Sequence, residues 1–164
     1  MMHRRQTISV LVNDMPGVLQ RVAGLFGRRG FNIESITVGA SEEPGLSRMV
    51  IVTVGDQAMV EQIQKQLYKL IDVIKVVELV QETTVSRELA LIQVRVDAAQ
   101  RSELLAAVDV FRAAIVDVAP SSMMIQVVGE PSKIDALIRL LSPYGIVQQA
   151  RTGVTAMMRG MAKT

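Results

Sequence analysis

Apolar residues along the chain switch repeatedly between the spacing of a strand and that of a helix. From Thr7 to Val12, Ile8, Val10 and Val12 alternate with Thr7, Ser9 and Leu11, largely the period-two pattern of a half-buried strand. The run breaks at Asn13-Asp14-Met15-Pro16-Gly17. Beyond the break Val18, Leu19, Val22, Leu25 and Phe26 share one helical face, and Gly30 stops the helix. Phe31–Val38 and Leu46–Val54 are apolar and β-branched, and the intervening Gly39–Gly45, with Pro44, predicts a hairpin turn. A second helix follows, with Val60, Ile63, Leu67, Leu70 and Ile71 on one side and Glu61, Gln62, Lys65 and Lys69 on the other. Val73–Leu79 reads as a fourth strand.

The order strand, helix, strand, strand, helix, strand predicts a ferredoxin-like α+β domain, an antiparallel sheet with both helices on one face. The same order then repeats. Leu89–Val96 is a strand, Glu103–Phe111 a helix, Ile115–Val118 and Met124–Val128 strands, Ser132–Leu141 a helix and Ile146–Ala150 a strand. The expected organisation is therefore two βαββαβ domains, residues 1–80 and 87–153, joined by a polar linker at 81–86. A tail at 154–164 carries Met157, Met158 and Met161 beside Arg159 and Lys163. Two fates are open to it, fraying or docking on a partner.

Composition narrows the function. A formal net charge of +2 in 164 residues does not call for nucleic acid or an anionic membrane. There is no cysteine, which removes disulfides, thiolate metal sites and thiol nucleophiles and fits a reducing, cytoplasmic setting. No run approaches the roughly 20 apolar residues of a membrane helix. The single histidine, His3, lies at the terminus, and Glu42-Glu43 reads as a solvated loop beside Pro44-Gly45, so no acid/base pair or nucleophile with its base is visible. Gly24, Gly27 and Gly30 match neither phosphate-binding fingerprint and fit helix packing and termination. A ferredoxin-like sheet can also bind RNA by stacking bases on aromatic residues, but only Phe26, Phe31, Tyr68, Phe111 and Tyr144 are present.

The junction Asn13-Asp14-Met15-Pro16-Gly17-Val18-Leu19 carries the most information. A helix start exposes unpaired N–H groups and the positive end of the dipole, and Gly17 lets a ligand approach the backbone, so a carboxylate can be held there. Asn13, Asp14 and Asn32 offer oxygens for an ammonium, and Val18, Leu19 and Ile33 an apolar wall for a short aliphatic side chain. The plainer alternative is that Asp14 caps the helix and Asn32 takes a turn conformation.

At these residues the sequence resembles the ACT domain, whose first loop commonly reads Asp-x-Pro-Gly-x-Leu, here Asp14-Met15-Pro16-Gly17-Val18-Leu19. Arg29-Gly30-Phe31-Asn32-Ile33-Glu34-Ser35-Ile36-Thr37-Val38, Leu46-Ser47-Arg48-Met49 and Lys65-Gln66-Leu67-Tyr68-Lys69-Leu70-Ile71-Asp72-Val73 look like the regulatory subunits of acetolactate synthase. The likeness continues through Phe111-Arg112 and Val116-Asp117-Val118 to Ala150-Arg151-Thr152-Gly153. The resemblance implies an N-terminal ACT domain, an ACT-like second domain and no catalytic site. It implies a homodimer through ACT domains and association with a catalytic large subunit that carries thiamine diphosphate, magnesium and FAD, with no cofactor in this chain. The implied effector is a branched-chain amino acid, usually valine, held between two subunits by Asp14, Gly17, Val18 and Leu19 of one and Asn32 and Ile33 of the other. Some relatives have Asn where Asp14 stands, and a carboxylate there either pairs with the effector ammonium or crowds its carboxylate. The second half lacks the Pro-Gly loop, reading Val96-Asp97-Ala98-Ala99-Gln100-Arg101, so one effector type is expected, in the first half. Arg28, Arg29 and Arg48 are expected on a solvated surface, with a partner-facing role as the alternative. Other classes consistent with the fold are a freestanding amino-acid sensor for another enzyme and, less favoured by the sequence, an RNA-binding module.

Overall fold

The computed structural model describes residues 3–164, which form two compact units: residues up to Val85 together with Val154–Thr164, and Ser86–Gly153. In the first unit β1 (Arg4–Asn13), α1 (Val18–Arg28), β2 (Ile33–Ala40), β3 (Leu46–Gly55), α2 (Gln57–Leu67) and β4 (Val73–Leu79) follow one another. The strands lie in the order β2-β3-β1-β4, each antiparallel to its neighbour. Ile8, Val10 and Val12 of β1 and Met49 and Ile51 of β3 pack under Val18, Val22, Leu25 and Phe26 of α1 and Val60, Ile63 and Leu67 of α2. The expected ferredoxin-like α+β class therefore holds.

Local chemistry moves several element ends. Arg4 and Arg5 pair with Gly55 and Val54, so β1 begins before Thr7, and the Arg5 side chain meets Glu34 at 2.7 Å. Strand β2 starts at Ile33 because Phe31 belongs to the end of α1. Gly30 adopts a positive φ of 70°, the Phe31 N–H donates back to the Phe26 carbonyl at 2.9 Å, and the two rings meet edge-on. That is the glycine-terminated closure that satisfies orphan helix carbonyls. Helix α2 starts where Asp56 accepts the Met59 N–H. It ends at Leu67, before the Leu70 and Ile71 expected in it, and Tyr68 turns its hydroxyl to the backbone N–H of Val76.

The second unit holds most of β5 (Thr84–Arg95), then α3 (Arg101–Val110), β6 (Ala114–Ala119), β7 (Ser122–Gly129), α4 (Pro131–Leu141) and β8 (Ile146–Arg151), with strand order β6-β7-β5-β8. Ala90, Ile92 and Val94 of β5 and Met123, Ile125 and Val127 of β7 face Leu104, Val108, Ile134, Leu137 and Leu141 of the helices. The stretch expected as a linker is a short 3-10 turn, Gln81–Thr83, followed directly by β5.

The last segment departs from both expectations for it. Val154 and Ala156, the second within β9 (Thr155–Met158), are buried with Val50, Val52 and Leu79 on the face of the first sheet that points away from its helices. Thr37 donates its hydroxyl to the Val154 carbonyl at 3.0 Å, Lys75 Nζ donates to the Lys163 carbonyl at 2.9 Å, and Arg48 Nη1 donates to the Thr164 carbonyl at 2.7 Å. The reason is visible in β3, where Met49–Val52 is buried without alternation. A strand apolar on both faces needs a cover on each.

Candidate functional site

At one end of the first sheet, three segments meet around the start of α1. The Asn13 N–H donates to the Asp72 carbonyl and the Asp14 N–H to the Gly45 carbonyl, both at 2.9 Å, so the loop is held by the α2–β4 connection and by the hairpin turn. Gly17 then occupies the N-cap position with φ 86° and ψ −7°, a left-handed conformation. No side chain caps the helix and its first turn contains no acid, in contrast to the Asp56 cap on α2. Asp14 is exposed and does not cap, so the plainer reading of that residue is not what the structure shows.

The remaining candidates fall into place unequally. Val18 is buried in the core, which leaves its side chain inside the fold, and its N–H donates to the Met15 carbonyl at 3.3 Å. Leu19 is 47% exposed and stands on the outside of the first turn. Asn32 and Ile33 are elsewhere. Ile33 pairs with Thr53, which is level with Gln6 on β1, whereas the Asp14 loop follows Asn13, level with Leu46. Seven residues of strand separate those levels, roughly 23 Å at the strand rise. Asn32 has an exposed side chain, and its carbonyl accepts the Thr53 hydroxyl at 2.6 Å. One chain thus brings together Asp14, Gly17, Val18 and Leu19, and keeps Asn32 and Ile33 at the other end of the sheet.

Two further residues of this end, Arg21 and Asp72, were not read from the sequence as site residues. Arg21, one turn into α1, places Nε 2.9 Å and Nη2 2.6 Å from Asp72 Oδ2. Its remaining nitrogen, Nη1, lies 2.9 Å from where a Cβ on Gly17 would stand. The available signal was electrostatic: a cation near a helix N-terminus opposes the dipole, so it is unusual without an acidic partner.

The comparable loop of the second unit is closed on itself. The Gln100 N–H donates to Asp97 Oδ1 at 2.9 Å, and the Asp97 N–H donates to Gln100 Oε1 at 3.2 Å, so the loop before α3 closes through its own side chains, and Glu103 sets an acid in the first turn of that helix. Arg48, expected on a solvated surface or facing a partner, is 15% exposed in its side chain and holds both the Thr164 carbonyl and Glu42. A backbone hydrogen bond, and after it the Arg48 guanidinium, draws the Glu42 carboxyl below its ordinary pKa. Hydrogen bonding to Glu88 raises that of Arg151, which also reaches Asp135 at 2.7 Å. Among the described residues no group of three His, Cys, Asp or Glu side chains is arranged to hold a metal ion.

Comparison with known proteins agrees along the whole chain. The AHAS small subunit-like ACT domain family matches residues 8–75, and the family described as the small subunit of acetolactate synthase matches residues 87–160. The acetolactate synthase small subunit of Mycolicibacterium smegmatis is 54% identical over 94% of this chain and 91% of its own length. The chain belongs to the acetolactate synthase small-subunit family. A probable acetolactate synthase small subunit of Archaeoglobus fulgidus is also 54% identical, over 97% of this chain and 99% of that one. The crystal structure of the acetolactate synthase small subunit from Thermotoga maritima superimposes with a TM-score of 0.90 at 47% identity, covering 97% and 99% of the two chains. Membership in the acetolactate synthase small-subunit family gives the chain a regulatory, non-catalytic role in branched-chain amino-acid biosynthesis. The family also implies a catalytic large subunit as partner. No helix among the described residues is long and apolar enough to cross a membrane.

Proposed function

We propose that the first unit is an effector sensor, in which a branched-chain amino acid, valine by preference, binds across two copies of the chain and inhibits the catalytic large subunit that the chain otherwise activates. The observation that carries this reading is the start of α1. It is uncapped, without an acid in its first turn, and opened by a glycine in the left-handed region. Such an end attracts a carboxylate by its free N–H groups and its dipole. Leu19 outside and Ile33 of a second copy supply apolar surface, while Asp14 and the second copy's Asn32 face the ammonium.

The need for two copies has a geometric basis. Strand β2 is an edge strand with unpaired backbone groups on its outer side. If two such edges pair antiparallel about a two-fold axis, the Ile33 end of one meets the Ala40 end of the other, at the end of the sheet that carries the Asp14–Gly17 loop. That pairing removes the separation along the strands, roughly 23 Å, without any movement inside a chain, and leaves β2 and β3 between β1 and the second copy's edge. A ligand bridging two copies favours the arrangement that binds it better, and inhibition is that bias transmitted to the catalytic partner. The thiamine diphosphate, magnesium and FAD of the reaction belong to that partner, and the chain works in the cytoplasm.

Two measurements test this. Calorimetric titration of valine into the purified chain and into Gly17→Asp, which adds bulk and negative charge at the carboxylate seat, should show binding only in the former. Acetolactate formation by the catalytic subunit should rise when the chain is added and fall again with valine. Equal valine affinity in Gly17→Asp removes this loop from the account, and acetolactate formation by the chain alone removes the regulatory role.

A further inference from the structure

Arg21 stands out once the carboxylate seat is placed at Gly17. A cation at the positive end of a helix is unfavourable, so something must retain it there. Asp72 is part of the answer. Its Oδ2 takes Nε and Nη2 at 2.9 and 2.6 Å, and the Asp72 side chain is 14% exposed against 47% for Arg21. An acid needed only to neutralise the guanidinium would serve as well from any side. Instead both contacts come from one oxygen, and among the described residues Nη1 donates to nothing. Nη1 points over the glycine, 2.9 Å from where a Cβ would be. Asp72 is itself fixed, because its carbonyl takes the Asn13 N–H at the end of β1.

We infer that Arg21 is a direct ligand of the effector's α-carboxylate, with Asp72 as the positioning residue that aims it. This rests on the reading of the Gly17 loop as the effector seat and adds to it a charged recognition element. Two features meet at Gly17: the uncapped, positive end of the helix and, beside the glycine, one nitrogen of a guanidinium whose other two nitrogens are bonded to Asp72. A carboxylate entering there receives a charge-assisted hydrogen bond from a side chain already immobilised, so little further ordering is required. The arrangement also explains a selectivity that the apolar wall cannot provide. Hydrophobic contacts choose among side chains, whereas Arg21 demands a free acid. Amides, and residues inside a peptide, lack the charge that the guanidinium pairs with.

The experiment compares L-valine with L-valinamide, which keeps the side chain and the ammonium and loses the carboxylate. Both are titrated calorimetrically into the full chain, Arg21→Gln, Arg21→Lys and Gly17→Asp, with circular dichroism melting to verify that each variant is folded. The wild type should prefer valine, and in Arg21→Gln that preference should shrink by about tenfold or more, the value of a hydrogen bond to a charged group. Arg21→Lys, which keeps the charge but not the fork, should fall between them. A valine-to-valinamide ratio unchanged in Arg21→Gln, while Gly17→Asp abolishes valine binding, overturns the role of Arg21 and leaves the loop reading intact. Undiminished binding by Gly17→Asp overturns the loop reading itself.

Discussion

Gly17 answers two demands with one residue. Its φ of 86° lies where a side chain is strained, and a Cβ there would stand 2.9 Å from the Arg21 guanidinium. Substitution by alanine should therefore cost about 1 kcal/mol in stability from backbone strain alone, read as a lower midpoint in urea unfolding of the first unit. A small shift of the Nη1 tip relieves the contact while Nε and Nη2 stay on Asp72, so the steric part is small, and valine affinity should fall further than stability does because the shifted tip no longer overhangs the loop. An alanine variant as stable as the wild type would show that this turn relaxes freely. Of the residues in this site, Asp14, Gly17 and Leu19 were legible because a Pro-Gly motif breaks a strand pattern and opens a helix pattern. Arg21 and Asp72 were not, since 51 positions separate them and only folding brings them together. Val18 was legible as apolar, but only packing decides that its side chain turns inward.

At the scale of elements, the strands and helices follow the hydrophobic periods closely, and the misplaced ends have local causes. Phe31 reads as strand by its apolar character, yet its N–H and its ring are used to close α1. Leu70 and Ile71 continue the helical spacing, but the helix has already ended at Leu67, and Ile71 is left 92% exposed. The tail is the larger surprise. Its clue was the outer face of the first sheet, where Val50, Val52, Val77 and Leu79 are more apolar than an open surface requires. Ala156 is 3% exposed in that layer, so Ala156→Asp buries an unpaired charge and should detach the segment. Limited proteolysis of the full chain should then cleave after Arg159 much faster than in the wild type, and dye binding to the uncovered face should increase. Equal cleavage rates would mean that the segment contributes little to covering the sheet.

For the whole molecule, the decisive fact is that one chain holds only part of the proposed site. If β2 edges pair, binding and assembly are one equilibrium, and weakening one weakens the other. Val38 on β2 is 47% exposed, and a lysine there sets a charge on the pairing edge of both copies. Val38→Lys should shift sedimentation velocity toward the monomer and reduce valine affinity together, by about tenfold, while the unfolding midpoint of the first unit moves little. Loss of dimer with valine affinity retained would separate the site from this edge. The sequence alone determined the two ferredoxin-like repeats, because each strand and helix buries one face and its spacing must record which. It also determined the glycine-opened helix start, since few residues tolerate that backbone turn. Only the tertiary structure decided that Asn32 and Ile33 sit far from that start, that Arg21 is aimed across it, and that the last residues cover the first sheet. Those relations join positions remote in the chain, and no local pattern of apolar and polar residues carries the distance between them.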